Sequence, residues 1–151
     1  MSIETKNRDV TRIDNSVHRN CFVCGKFNHQ GLQLEFYYDK DEEVAFSQFR
    51  LDDWTQGYKG IPHGGIVSAI FDCAMGNCLF SQGLSGVTAE LKVRFKKTID
   101  LHKKAVVKAW IKNSSNGLYI LDAEIVQDEQ VKAFAVGKFV DKPELRNKQD
   151  T

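Results

Sequence analysis

Two hydrophobic periods divide this chain, one of two residues and one of three to four. Leu32, Leu34 and Phe36 alternate with Gln33, Glu35 and Tyr37, which predicts a strand. Val44, Phe46 and Gln48 continue the alternation in a second, with Asp39-Lys40-Asp41 as the turn between them. A Gly- and Asp-rich loop, DDWTQGYKGIP, follows. In GGIVSAIFDCAMGNCLFSQG the period changes. Ile66, Val67, Ile70, Phe71, Ala74, Met75, Cys78 and Leu79 recur at three and four, which predicts a helix opening at His63-Gly64-Gly65 and ending at Gly83 and Gly86. The period then returns to two. Val87, Ala89, Leu91, Val93 and Phe95 alternate with Thr88, Glu90, Lys92, Arg94 and Lys96. Three more strands are expected at 105–112, 117–127 and 131–140, joined by hairpin connections at 113–117 and 127–130. A helix this apolar needs cover over most of its surface. The pattern therefore predicts an α+β fold, a long central helix wrapped by a curved antiparallel sheet of about six strands.

The ends carry no such period. Residues 1–17 are expected to form a flexible N-terminal arm, 18–142 the folded domain and 143–151 a C-terminal tail. A chain of 151 residues suits one domain. The net charge of +1 offers no basic excess for a phosphate backbone, so nucleic acid is not an expected partner. Asp72, Asn77 and several glycines interrupt the one long apolar run, so no membrane span is expected. Charges near the N-terminus, where a signal peptide would be apolar, lead us to expect a cytoplasmic protein. In that compartment four cysteines are thiols or metal ligands rather than disulfides.

Asp72 is the only charged residue between Gly64 and Ala89. A carboxylate on a core helix costs several kcal/mol unless it is paired or reaches water. Ser68, Ala69 and Gly76, at three and four residues from it, are small and leave room for a ligand. Gly64 and Gly65 place free N–H groups and a positive dipole end at the helix start, where a carbonyl can approach the backbone and be polarised. Gly65 and Asp72 are seven residues apart, about 10 Å along the axis. That gap is too long for both to act on one carbonyl within a chain, but it fits a site shared across a dimer. The bland alternative is a structural Asp72 and a glycine pair that only eases packing.

HGGIVSAIFDCAMG followed by TAELKVRF resembles the hotdog thioesterases of the 4-hydroxybenzoyl-CoA thioesterase superfamily, in particular the PaaI-like branch. The resemblance spans roughly residues 20–140 and implies a hotdog fold and an acyl-CoA substrate. It implies Asp72 as catalytic nucleophile or general base and the Gly65 backbone N–H as the donor to the thioester carbonyl. It gives His63 a place shaping the loop or touching the thioester, beside Gly64. Where relatives carry an Asn before His-Gly-Gly, this chain has Gln56. Where they hold water with a Ser or Thr on the next strand, it offers Thr88 or Glu90. A proline common after that strand is replaced by Lys96-Lys97-Thr98.

His18-x2-Cys21-x2-Cys24, with His29 nearby, has metal-ligand spacing, and thiolates with imidazole suit tetrahedral zinc. The resemblance extends here, since a subgroup of hotdog proteins begins with a segment like CFVCGKFNHQGL; His29 is not a usual part of it. The expectation is no required cofactor, with a structural zinc on His18, Cys21 and Cys24 as the candidate and a tight turn with ordinary thiols as the alternative. Cys73 and Cys78 read as core residues.

Two functions from different classes follow. One is an acyl-CoA thioesterase. The other is a non-hydrolytic acyl-CoA or small-ligand binding protein on the same fold. Arg94, Lys96, Lys97, Lys103 and Lys104 are a solvated face, some of which would meet coenzyme A phosphates. The long, regular strand 87–97 leaves an edge open, so a homodimer, or a homotetramer as a dimer of dimers, is expected.

Overall fold

The computed structural model describes residues 8–147. One helix, α1 (Gly64–Ser81), lies against a single antiparallel sheet of seven strands. In chain order the strands are β1 (Val10–Arg12), β2 (Tyr37–Asp39), β3 (Val44–Phe49), β4 (Gly86–Phe95), β5 (Ala105–Ser115), β6 (Leu118–Gln127) and β7 (Gln130–Asp141). Their order across the sheet is β1-β2-β3-β5-β6-β7-β4. This is the expected hotdog architecture, with one strand more than the pattern predicted.

The helix is apolar on all sides because it is covered on two. Ala109, Val107, Leu121, Ala123, Ile125, Ala133, Ala135 and Phe139 come from the sheet; Ile13, Val23, Cys24, Leu34 and Phe36 come from the segment before it. Ile70, Phe71, Met75 and Leu79 between them are fully buried. Its length and hydropathy would suit a membrane-crossing helix, but 56% of it is buried inside the fold, as a core helix is. It starts on His63, whose ring Nδ1 accepts from the Gly65 N–H, and ends in a Schellman motif. There Leu84 N–H bonds Leu79 O and Gly83 N–H bonds Phe80 O, both at 3.0 Å.

The meander follows its turn chemistry. Asn116-Gly117 and Asp128-Glu129 each have positive φ at both positions, the conformation of two-residue I′ hairpins. Asp39 Oδ1 accepts from the N–H groups of Asp41 and Glu42 and fixes the β2–β3 turn.

Three expectations change. The N-terminal arm is docked where it is described: β1 pairs with β2, the Ile13 N–H bonds Phe36 O at 3.0 Å, and Ile13 is buried. Sheet pairing and one apolar anchor outweigh the polar composition of that stretch; residues 1–7 lie outside the described residues. The C-terminal tail begins with a short 3-10 turn, Pro143–Asn147, where Arg146 forks onto both carboxylate oxygens of Asp141; residues 148–151 lie outside the described residues. The predicted strand at 32–36 is not one. Gln33 has φ +52°, which breaks the extended run. The Leu32 and Leu34 N–H groups instead donate to Phe22 O and Val23 O, and Leu34 and Phe36 are buried in the core.

Candidate active site and cysteine cluster

Asp72 lies on the stripe of α1 that the two covers leave partly open. Gly64 and Gly65 are exposed there, and Ser68, Ala69 and Asp72 are half-buried. Beside that stripe runs β4, the terminal strand of the sheet, with a free outer edge. Thr88 on β4 donates its hydroxyl to Asp72 Oδ1 at 2.5 Å. The carboxylate is thus held by a side chain while still reaching solvent, which accounts for a charge on an otherwise apolar helix.

A bulge makes this contact possible. The register of β4 on β7 shifts between Thr88 and Glu90, so Ala89 is the extra residue. Thr88 lies opposite Phe139, whose side chain is buried toward the helix, whereas Glu90 lies opposite the exposed Lys138. Directly paired residues share a face. Thr88 therefore points inward with Leu91, Val93 and Phe95, and Glu90 points outward. Glu90 forms ion pairs with Lys138 at 3.7 Å and Lys92 at 3.6 Å. Strict alternation had placed Thr88 and Glu90 on one face; the structure brings only Thr88 to Asp72.

At the helix start, the Gly65 N–H is bonded to His63 Nδ1 at 2.8 Å. The donor expected for a carbonyl is occupied by the chain's own imidazole, which is exposed. Gly64 faces the Phe95 ring. Gln56 does not reach the helix; its side-chain oxygen accepts the Gly60 N–H at 3.0 Å and holds the 57–60 turn. A cleft of about 340 Å³ opens beside the helix start, walled by Tyr58, Ile61, Gly64, Val67, Phe95 and Lys97. Of the basic residues, Lys96 sits over the Phe134 ring, Lys97 bonds Gln130, and Lys103 pairs with Asp100 and Asp128.

On another flank of α1 the cysteine segment closes on the helix. His18, Cys21 and Cys24 come together, and a fourth residue joins them: the donor atoms of these three and of Cys73 lie within 4.8 Å of one another. Cys73, read from the sequence as core, immediately follows Asp72. His29 is not in the group. Hydrogen bonds from Cys24 and Cys73 hold the Cys21 thiol well below the usual thiol range. Cys21, then Cys24, push His18 up to about 10, and the same two cysteines raise Cys73. Cys78 stands apart, its thiol pushed up to about 12 by burial.

Residues 59–134 match the family model of the thioesterase superfamily, and the chain belongs to that superfamily. It is 24% identical over 121 residues to acyl-coenzyme A thioesterase THEM4 of Bos taurus, an alignment covering 79% of this chain and 50% of the relative. The chain thus spans about half the length of that curated relative. Among solved structures, a thioesterase superfamily protein superposes with a TM-score of 0.77 at 22% identity, covering 87% of this chain and 67% of its own. The E. coli PaaI protein from the phenylacetic acid degradation operon gives 0.62 at 21% identity, covering 64% and 75%. A hypothetical thioesterase of Streptococcus pneumoniae solved with coenzyme A gives 0.63 at 20% identity, covering 66% and 81%. That bacterial protein has also been solved with an aspartate and, separately, a threonine changed to alanine.

Proposed function

We propose that this chain hydrolyses an acyl-CoA to the free acid and coenzyme A, with Asp72 as nucleophile or general base. The observation that carries the reading is the Thr88–Asp72 hydrogen bond, made on the partly open stripe of the helix. A hydroxyl donor keeps the carboxylate in one orientation and leaves its other oxygen for chemistry. As base, Asp72 takes a proton from water while the water oxygen adds to the thioester carbonyl. The tetrahedral intermediate then expels the coenzyme A thiolate, which is protonated. As nucleophile, Asp72 displaces the thiolate to form an acyl anhydride that water opens. The match to a curated acyl-CoA thioesterase and the coenzyme A bound to a structural neighbour support this substrate class.

In this reading the Gly65 N–H polarises the carbonyl, and a substrate oxygen takes the place of His63 Nδ1. The glycine that serves Asp72 comes from a second copy, because within one chain two helical turns separate them. Half-buried Leu91 and Val93 and exposed Phe95 line the open β4 edge and call for cover. Pairing β4 with its own two-fold copy supplies it. Val87, Val140 and Leu118 form a second exposed apolar row across β4, β7 and β6, suited to a dimer of dimers.

The test is coenzyme A release from a panel of short aliphatic, aromatic and long-chain acyl-CoAs by wild type and Asp72→Asn. We expect turnover by wild type and a loss of about 10²–10⁴-fold in a folded Asp72→Asn. No turnover across the panel, with saturable binding of a CoA ester, would move the protein to the non-hydrolytic alternative. An Asp72→Asn as active as wild type would remove Asp72 from the chemistry.

A further inference from the structure

Outside the acyl site, the most connected group of reactive side chains is His18, Cys21, Cys24 and Cys73. We propose that these four bind one Zn²⁺ per chain in a closed Cys3His site that pins the segment before β2 to α1 at the residue after Asp72. The inference is independent of the thioesterase reading.

The first argument is convergence. Three donors come from residues 18–24 and the fourth from a helix some fifty residues on. All four donor atoms fall within 4.8 Å of one another. Zn–S bonds of about 2.3 Å in a tetrahedron put neighbouring sulfurs about 3.8 Å apart. The Cys24 Sγ to His18 Nδ1 separation is already 3.7 Å. A small cation drawn into the group would need little movement.

The second argument is that the surroundings are built for sulfur carrying negative charge. The Val23 N–H donates to Cys21 Sγ at 3.4 Å. The Gly25 N–H closes the turn on Cys21 O at 2.8 Å. Position 25 admits only glycine, since a Cβ there would run into the Cys21 backbone and come within 2.7 Å of Arg19 O. Asn77 is fully buried on α1, an expensive place for an amide. Its Nδ2 donates to Cys73 O at 2.9 Å, Cys73 Sγ at 3.4 Å and Cys24 Sγ at 3.6 Å, while its Oδ1 has no partner. Neutral thiols are weak acceptors and repay such a donor poorly. Metal-bound thiolates repay it well, and donors of this kind around the ligands orient them. The His18 ring is held edge-on against Phe80 at 4.9 Å between centroids, with Nδ1 turned to the sulfurs.

The donor set names the metal. Three thiolates and an imidazole suit zinc, and four protein ligands leave no position for substrate, so the ion is structural.

The test is metal content of the full chain, purified under reducing conditions with zinc supplied and excess metal removed. We expect one zinc per chain in wild type and in Cys78→Ala, whose thiol lies outside the group. We expect less than about a tenth of that in Cys24→Ala and Cys73→Ala, since a Cys3His site loses most of its affinity with one ligand gone. If either variant fails to fold, wild type loaded with Co²⁺ still decides. Tetrahedral ligand-field bands and sulfur charge-transfer intensity for three thiolates are expected. A metal-free wild type, a Cys21–Cys24 disulfide in its place, or a Cys73→Ala variant that keeps its zinc and an unchanged cobalt spectrum would each overturn the proposal. None of these readouts depends on thioester hydrolysis, so failure here and failure of the enzymatic reading are told apart.

Discussion

Replacing Thr88 by valine tests the core of the catalytic reading. Valine keeps the β-branched shape and strand preference of threonine, and it removes only the hydroxyl that donates to Asp72 Oδ1. A hydrogen bond to a charged group contributes about 1.5–3 kcal/mol. Asp72 is half-buried, so water recovers part of that loss in the ground state. In the transition state the carboxylate must hold one orientation, and there the loss is felt. We expect kcat for acyl-CoA hydrolysis to fall about 10- to 100-fold, equivalent to about 1.4–2.7 kcal/mol, with KM little changed. Thermal stability should stay close to wild type, since both groups touch solvent. Thr88→Ser should recover most of the rate. The assay is steady-state release of the coenzyme A thiol. A Thr88→Val enzyme within about threefold of wild type would refute a positioning role, because the bond would then contribute almost nothing to the barrier. A raised KM at unchanged kcat would refute it differently, by placing Thr88 against the substrate instead of the carboxylate.

Two further substitutions test the packing and the turns. Gly137 lies on β7 against α1, and a Cβ there would enter the Met75 Sδ envelope and come 2.8 Å from Phe139 Cε2. Gly137→Ala should destabilise by about 1–3 kcal/mol through overpacking, lowering Tm by about 3–10 °C; an unchanged melt would show that Met75 can step aside freely. Glu129 holds φ +61° in the β6–β7 hairpin. Glu129→Gly should stabilise by about 0.5–1 kcal/mol, the relief of left-handed strain less the extra freedom of the unfolded chain, and a lower midpoint in denaturant would contradict that.

Much of the fold is written in periodicity, because the long elements bury one face each. The helix at 64–81 and the four strands after it sit close to their predicted positions. What the pattern missed depends on partners. Val10–Arg12 has no apolar stripe and is a strand only because β2 offers it an edge. Residues 32–36 alternate as a strand does, yet Gln33 turns left-handed and their hydrogen bonds go to a loop. The bulge at Ala89 leaves no mark in the alternation of β4, so the split between Thr88 and Glu90 could be seen only in the register with β7. Asp72 was legible as the lone charge in an apolar run. Cys73 was not, because a cysteine on a core helix looks like any small apolar residue until the 18–24 segment is folded onto it.

The two covers of α1 explain why these features meet at adjacent residues. The sheet takes one side of the helix and the segment carrying Ile13, Val23, Leu34 and Phe36 takes another. Neither is joined to the helix by a strand ladder, so side chains must set how the helix sits between them. On the sheet side, the Ala89 bulge swings Thr88 inward onto Asp72. On the segment side, Cys73 faces His18, Cys21 and Cys24. Consecutive residues on a helix point about 100° apart. Asp72 and Cys73 therefore face different neighbours although one peptide unit joins them. Both contacts add side-chain restraints at adjacent residues to a helix that Ile70, Phe71, Met75 and Leu79 already anchor in the core.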